Sequence, residues 1–439
     1  MSGRNLLYLA SGGPTPVLNA SASAVLQRAR EARAASPGAG QRLPRRILAA
    51  RDGLIGLRSG ELLDTDVLRD AEVLQIAHTP GAVFGTCRDM LADAPRARAR
   101  ELAGILQVLR QHDIGSLILS GGNGSMDTAL QLHLAAREAG WPLAVVGVPK
   151  TIDNDIVLTD CSPGFGSAAK YVAASTLEIA HEVAAIASSS TRIYVLEVMG
   201  RHAGWLAAAS ALARREPGDA PHVILMPESP VAPSALLQRV AYQVASKGWA
   251  VVVVAEGARS ADGRLWAEMR AEMRAELRPE FAGRHRGKHQ RLGGAAPVLA
   301  DWLGRRLKYK VRWSVLDYLQ RASRHLASQA DFELAIQAGR LAVDAALAGH
   351  GGVMVGVRRV ATRQRQSQGQ PQWQPWLLPL ARVANFEKRL PKRYVLADGM
   401  GVSAGCLRYL RPLIQGEAYP PYRDGVPDYL PSGRQFPLV

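Results

Sequence analysis

The chain of 439 residues carries only three cysteines, Cys87, Cys161 and Cys406, odd in number and far apart. Such a set builds neither a disulfide framework nor a zinc site, and it points to a reducing cytoplasmic location. No apolar run approaches the roughly 20 residues that a membrane-spanning helix needs. The longest clear run, Trp249 to Ala255, has the length of a buried strand. The N-terminus lacks a charged segment followed by an apolar core and a cleavage site, so no secretory leader is expected. Acidic residues are also in deficit, 38 against 54 Lys and Arg, for a formal net charge of +16. There is no lysine-rich tail, and aromatics, at 6% of the chain, form no ladder for stacked bases. Nucleic acid is therefore not expected as a partner. The basic surplus, enriched at Arg284 to Arg291 and Arg358 to Lys392, reads as solvated surface, with a smaller part steering phosphorylated substrates.

What is present is the composition of a globular protein, 47% hydrophobic and 21% charged, long enough for two or three domains. Apolar strand-like runs alternate with helical patterns, which predicts parallel sheets with helices on their faces. Two stretches stand out. Leu117-Ile118-Leu119 runs into Ser120-Gly121-Gly122-Asn123-Gly124-Ser125 and then a helical pattern. Glycines let a backbone approach a phosphate, and the new helix aims free N–H groups at it. Leu143-Ala144-Val145-Val146 runs toward Pro149-Lys150-Thr151-Ile152-Asp153-Asn154-Asp155, a cation, a hydroxyl and two carboxylates at one strand end. Ligands of open α/β sheets sit at such ends. Taken singly, the glycine stretch is a common turn and the two aspartates are caps or surface charges. Together in one strand–helix–strand unit they supply the parts of phosphoryl transfer.

Further along, Leu6 to Leu9 reads as a strand running into Gly12-Gly13 and a helix from near Asn19. Thr191 to Val198 is a strand that turns through Met199-Gly200-Arg201 into a helix, and a guanidinium there suits a sugar phosphate. Helices are expected over Arg100 to His112, to about Ile186, Ser234 to Ser246, Leu299 to Leu307 and Phe332 to Ala348. Ser260 to Gly294 and Arg363 to Gln374 are polar, and the proline-rich end from Tyr419 reads as a tail packed on the surface.

Gly121 to Ser125, Pro149 to Asp155 and Met199-Gly200-Arg201 resemble, in order and spacing, the signatures of the phosphofructokinase family. The resemblance runs from Leu6 to about Tyr429 and is strongest to the short bacterial branch that uses pyrophosphate. It implies two doubly wound parallel-sheet domains facing a cleft. Residues 1–160 plus about 322–395 would bind the phosphoryl donor, and about 161–321 plus 396–439 would bind fructose 6-phosphate. Asp153 would be the base, with Thr151, Lys150 and Arg201 as its catalytic company. Gly12, Arg88, Gly122, Gly124, Ser125 and Lys150 would bind the donor. Thr151, Asp153, Arg192, Met199, Gly200, Arg201, Glu256, Arg312, Tyr318 and Arg321 would bind the sugar, Arg192 from a neighbouring subunit. Asn123 and Asp155 would stand near Mg²⁺. Shared sites imply a homodimer or homotetramer.

The donor turns on Gly124, where the pyrophosphate branch usually carries aspartate. Its carboxylate would repel an ATP α-phosphate, and glycine removes it. Tyr318, Asn123 and the whole-chain resemblance lean the other way, and Lys150 is compatible with both. On the missing carboxylate, ATP is the expected donor and pyrophosphate the alternative. A non-catalytic paralogue fits poorly with Asp153, Thr151 and Arg201 all in place. A dinucleotide-dependent dehydrogenase lacks a good Gly-x-Gly-x-x-Gly after the first strand.

Overall fold

The computed structural model describes residues 4–35, 43–269, 293–360 and 372–439. The basic run Arg284 to Arg291 and most of the polar segment 363–374 lie outside these. The chain divides into two units. The first comprises Met1–Ser167, Arg321–Lys388 and Ile414–Val439, and the second Ala168–Gln320 and Arg389–Leu413.

The first unit is built on a seven-stranded sheet. Its strands are β1 (Asn5–Ala10), β2 (Ile47–Ala50), β3 (Leu62–Asp64), β4 (Ile114–Gly121), β5 (Ala144–Pro149), β10 (Val353–Val360) and β11 (Gln372–Pro379), in the order β11-β10-β5-β4-β1-β2-β3. The five central strands are parallel, and each edge strand runs antiparallel to its neighbour. Buried on both faces, the central strands read as continuous apolar runs rather than alternations. Along β1, Leu6, Tyr8 and Ala10 pack on one face with the helices Leu18–Ala34 and Gln329–Leu347. Leu7 and Leu9 pack on the other with Pro95–Gln111 and Asn123–Glu138.

The second unit holds four parallel strands, β6 (Ile193–Val198), β7 (Val223–Leu225), β8 (Ala250–Ala255) and β9 (Val311–Val315), in the order β7-β8-β6-β9. Its helix Pro233–Lys247 starts on proline and stops at Gly248, whose φ of 85° and N–H to the Val244 carbonyl at 2.8 Å close the last turn. The expected pair of parallel-sheet folds is thus present, with antiparallel strands added at the edges of the first.

Three details differ from the sequence expectation. The helix expected from Arg100 starts at Pro95, whose fixed φ suits a first turn. Ile414–Val439 belongs with the first unit, not with the second as expected for 396–439, and 389–395 belongs with the second. The end of the chain lies on the surface, as expected, most of 421–439 being exposed, and it is tied down at particular points. Its backbone bonds both faces of the β3 turn, Asp64 N–H to Pro437 and Val439 N–H to Leu62, each at 2.9 Å. Phe436 is buried against Phe84, ring centroids 5.3 Å apart. Phe436→Ala should destabilise the first unit by about 3 kcal/mol, the usual cost of deleting a buried phenyl ring, read as an earlier urea transition. A change within error would mean that this end is not part of the core.

Candidate active site

Strand register assembles the first group of residues. Ser120 of β4 pairs with Val148 of β5, and Gly121 with Pro149. The Lys150 N–H then bonds the Gly121 carbonyl at 3.0 Å, and the Ser11 N–H bonds the Ser120 carbonyl at 2.8 Å. The loops after β1, β4 and β5 therefore open side by side at the carboxyl edge of the sheet. Gly12, at φ 83°, could not carry a side chain here: a Cβ would stand 3.2 Å from Lys150 Nζ. The Gly12 N–H bonds the Cys87 carbonyl at 2.7 Å, and Thr86 Oγ1 donates to the Gly12 carbonyl at 2.8 Å, which fixes this loop beside Arg88. Gly122 precedes the helix Asn123–Glu138, and Ser125, on its first turn, is buried.

Three cations converge on these loops. Lys150 is 4% exposed, and its ammonium donates to the Gly13 carbonyl at 2.7 Å. A Cβ on Gly13 would overlap the Arg321 guanidinium and lie 3.5 Å from that of Arg88. Arg321, expected beside the sugar-binding residues, thus lies against the glycine loop of the first unit. Burial pushes the Lys150 pKa down to about 7, Arg321 and Arg88 push it the same way, and Asp153 and Asp155 oppose them.

The carboxylates stand next to the cations. Thr151 Oγ1 accepts the Asp153 N–H at 3.1 Å, a local turn that fixes the start of the loop. Asn123 donates from Nδ2 to the Asp155 carbonyl at 3.2 Å and to Asp155 Oδ2 at 3.1 Å. That leaves Asn123 Oδ1 and Asp155 Oδ1 buried without a hydrogen-bond partner. Burial, reinforced by Glu387, raises the Asp155 pKa. Two orphaned, hard oxygens on one side of a phosphate cradle fit a Mg²⁺ ion that takes its other ligands from phosphate and water. Among the described residues no cluster of three or more His, Cys, Asp or Glu could hold a metal alone.

Gly124 has an unexpected neighbour. A Cβ there would meet Met90 Cε at 2.7 Å and Sδ at 3.2 Å. The space left by the missing side chain is occupied by a thioether.

The second unit carries its own group. Met199, Gly200 and Arg201 leave β6, and Glu256 leaves β8, the strand paired in parallel with it. The Glu256 N–H bonds the Val198 carbonyl at 2.9 Å and the Gly257 N–H bonds that of Gly200 at 3.1 Å. A Cβ on Gly257 would overlap the Arg201 carbonyl, so the two turns are packed backbone on backbone. The buried Gln320 accepts the Met199 N–H at 3.3 Å. Arg192 and Arg312 lie elsewhere. Arg192 precedes β6, and Arg312 pairs with Tyr194 at the same end. The whole of β6 and the Met199 turn separate Arg192 from Gly200, eight steps along the chain and roughly 25 Å at the usual strand rise. Tyr318 is exposed.

Several polar groups that organise the site were not read from the sequence. Glu228 accepts the Gly204 N–H on both carboxylate oxygens at 3.0 Å and the Leu390 N–H at 2.8 Å. Glu197, buried in β6, caps the helix Ala295–Leu307 through the N–H groups of Gly294 (3.0 Å) and Ala296 (2.8 Å). Asp331 caps another helix, and its position in Ser328-Gln329-Ala330-Asp331 was a readable capping pattern.

A parallel sheet whose glycine loops, buried lysine and paired carboxylates share one edge defines an α/β phosphotransferase. The phosphofructokinase family model matches residues 5–346. The chain belongs to the phosphofructokinase family. It is 44% identical to the pyrophosphate--fructose 6-phosphate 1-phosphotransferase of Methylococcus capsulatus, over 98% of this chain and 96% of that one. It is 34% identical to the ATP-dependent 6-phosphofructokinase of Chloroflexus aurantiacus, over 80% and 86%. The crystal structure of a pyrophosphate-dependent phosphofructokinase from Nitrosospira multiformis superposes with a TM-score of 0.84 at 39% identity, covering 98% and 96%.

The state of Lys150 gives a measurable signature. Burial lowers the Lys150 pKa to about 7, and a bound polyanion would favour its charged form. Pyrophosphate binding at pH 8 should therefore take up a proton that Lys150→Met does not, measured by calorimetry in buffers of different ionisation enthalpy. Affinity should weaken as pH rises above about 7. Equal proton uptake by both proteins would rule out this role for Lys150.

Proposed function

We propose that this protein transfers a phosphoryl group to the 1-hydroxyl of fructose 6-phosphate, with pyrophosphate as the donor and Mg²⁺ bound beside it. The expectation of ATP rests on Gly124 alone. Two observations favour pyrophosphate: the 44% identical relative named for that donor, and Met90, which fills the space that the absent carboxylate would free. ATP stays as a second reading because no charge at Gly124 opposes an α-phosphate and a 34% identical relative is named for ATP. Initial rates at saturating fructose 6-phosphate and Mg²⁺ decide between them; turnover with ATP and none with pyrophosphate would reverse the proposal.

In this reading the N–H groups around Gly12 and Gly122 to Ser125, with Lys150, Arg88 and Arg321, hold the donor's oxygens and offset charge as it develops. Asn123 Oδ1 and Asp155 Oδ1 would hold Mg²⁺, which neutralises phosphate charge when bound. Thr151 steadies the transferring group. Asp153 takes the proton of the attacking hydroxyl. Met199, Gly200, Arg201 and Glu256 bind the sugar phosphate. Asp153→Ser should lower kcat by at least about a thousandfold with the sugar KM changed far less; near-normal kcat would remove Asp153 from the role of base.

Arg192 and Arg312 stand too far from Arg201 along β6 to serve the same sugar, which supports a role in the site of a second copy. The exposed edge strand β9 also supports a homo-oligomer: Trp313 and Val315 are 49% and 38% exposed on it, and Tyr318 and Leu319 just beyond it are 62% and 61% exposed, an apolar edge of the kind that proteins cover. Mixing Asp153→Ser with Arg192→Ala subunits should restore part of the lost activity. Mixed oligomers without restored activity would contradict a shared site. A cytoplasmic location belongs to the same reading and is supported by three free, buried cysteines.

A further inference from the structure

The loop that leaves Thr151-Ile152-Asp153-Asn154-Asp155 is held by a lysine far along the chain. The Lys388 ammonium donates to Asn154 Oδ1 at 3.2 Å, to the Thr159 carbonyl at 2.9 Å and to the Asp160 carbonyl at 3.1 Å. Its backbone grips the same loop. The Lys388 N–H bonds the Asp155 carbonyl at 2.6 Å, and Glu387 pairs with Ile156 in an antiparallel bridge.

Asn154 is fully buried, at φ 52°. Few residues other than glycine adopt this left-handed region, and Asn is one of them. The backbone on either side of it carries Asp153 and Asp155, so its conformation sets the angle between the two carboxylates. A return to the right-handed region would turn one carboxylate away from the other. A half-buried ammonium thus reaches the amide oxygen of Asn154. Desolvation pushes the Lys388 pKa down to about 8, with Cys161, Asp160 and Asp155 opposing. A compact cation on three acceptors fixes them relative to one another more firmly than single neutral hydrogen bonds would.

We propose that Lys388 is a positioning residue for phosphoryl transfer, holding Asp153 and Asp155 in their working geometry through Asn154. The assay rests on the phosphotransferase reading above. Lys388→Met should lower kcat about 30- to 100-fold, the scale of an ångström's misplacement, with donor and sugar KM within about threefold. Asn154→Gly keeps the left-handed backbone accessible and removes the side chain that carries the acceptor, and it should lower kcat in the same direction. The double variant should be little worse than the worse single one, because both break the same tie. Amide hydrogen exchange across Thr151 to Cys161 should quicken in Lys388→Met while β4 and β5 keep their protection. Additive losses in the double variant, a KM effect with kcat unchanged, or unchanged exchange in this loop would overturn the proposal. A wild-type protein without turnover on either donor would instead refute the phosphotransferase reading, and the exchange measurement would still decide whether Lys388 holds the loop.

Discussion

A carboxylate almost wholly shut off from water fixes the frame on which the phosphate-binding edge is built. Asp331 accepts the N–H of Gly164 at 3.0 Å, the N–H of Ser167 at 2.9 Å and the Ser167 hydroxyl at 2.6 Å, closing the start of the helix Phe165–Ile186. Its own N–H is directed to Ser328 Oγ, so one residue joins the beginnings of two helices. Burial pushes its pKa up and the bonds from Ser167 and Gly164 pull it down, the opposition that keeps a buried acid in one geometry. Gly164 passes the constraint on. Its φ is 109°, a Cβ there would collide with Thr15 at 2.6 Å, and its backbone pairs with Thr151. The glycine loop near β1 and the hydroxyl after β5 are thereby referred to the same fixed point.

Around that frame the charges are unevenly satisfied, and the unevenness has chemical meaning. Lys150, Arg88 and Arg321 crowd one side of the cradle, so each raises the cost of ionising Lys150. Asn123 and Asp155 leave two oxygens unused on the other. A folded protein rarely tolerates buried groups in such states unless a ligand completes them. Elsewhere in the same unit Arg324 shows the opposite condition. Arg324, buried entirely, reaches the carbonyls of Ala77 and Ala418 and the His78 ring, and it lies 4.6 Å over Phe332. The contrast separates groups that hold the fold from groups that await a substrate.

The sequence made legible what is local. Apolar runs such as Leu117-Ile118-Leu119 and Trp249 to Ala255 became central parallel strands, because burial on both faces leaves no alternation to confuse them. The glycine loops and the Thr151 to Asp155 stretch carry their chemistry within a few residues. What stayed hidden depends on distant backbone. Glu197 serves N–H groups 97 and 99 residues away, Glu228 one 162 residues away, and Lys388 a loop 228 to 234 residues away. No periodicity announces such pairs. The family resemblance groups Arg321 with Tyr318 at the sugar, yet the chain changes unit between Gln320 and Arg321. The proline-rich end reads as a tail packed on the surface, but proline and isolated aromatics give no pattern that names its partner, the edge of β3.

The lowered pKa of Lys150 would also act as a filter on what the cradle takes. With Lys150 near pKa 7, a ligand arriving at pH 8 must first restore the ammonium's proton, at about 1.4 kcal/mol for each pH unit above that value. A densely charged diphosphate repays that cost through close contact with three cations. A lone phosphate monoester, spreading less charge over fewer contacts, recovers less of it. The cradle therefore responds to the ligand's charge density as well as its shape, and it becomes more discriminating as the surroundings turn alkaline.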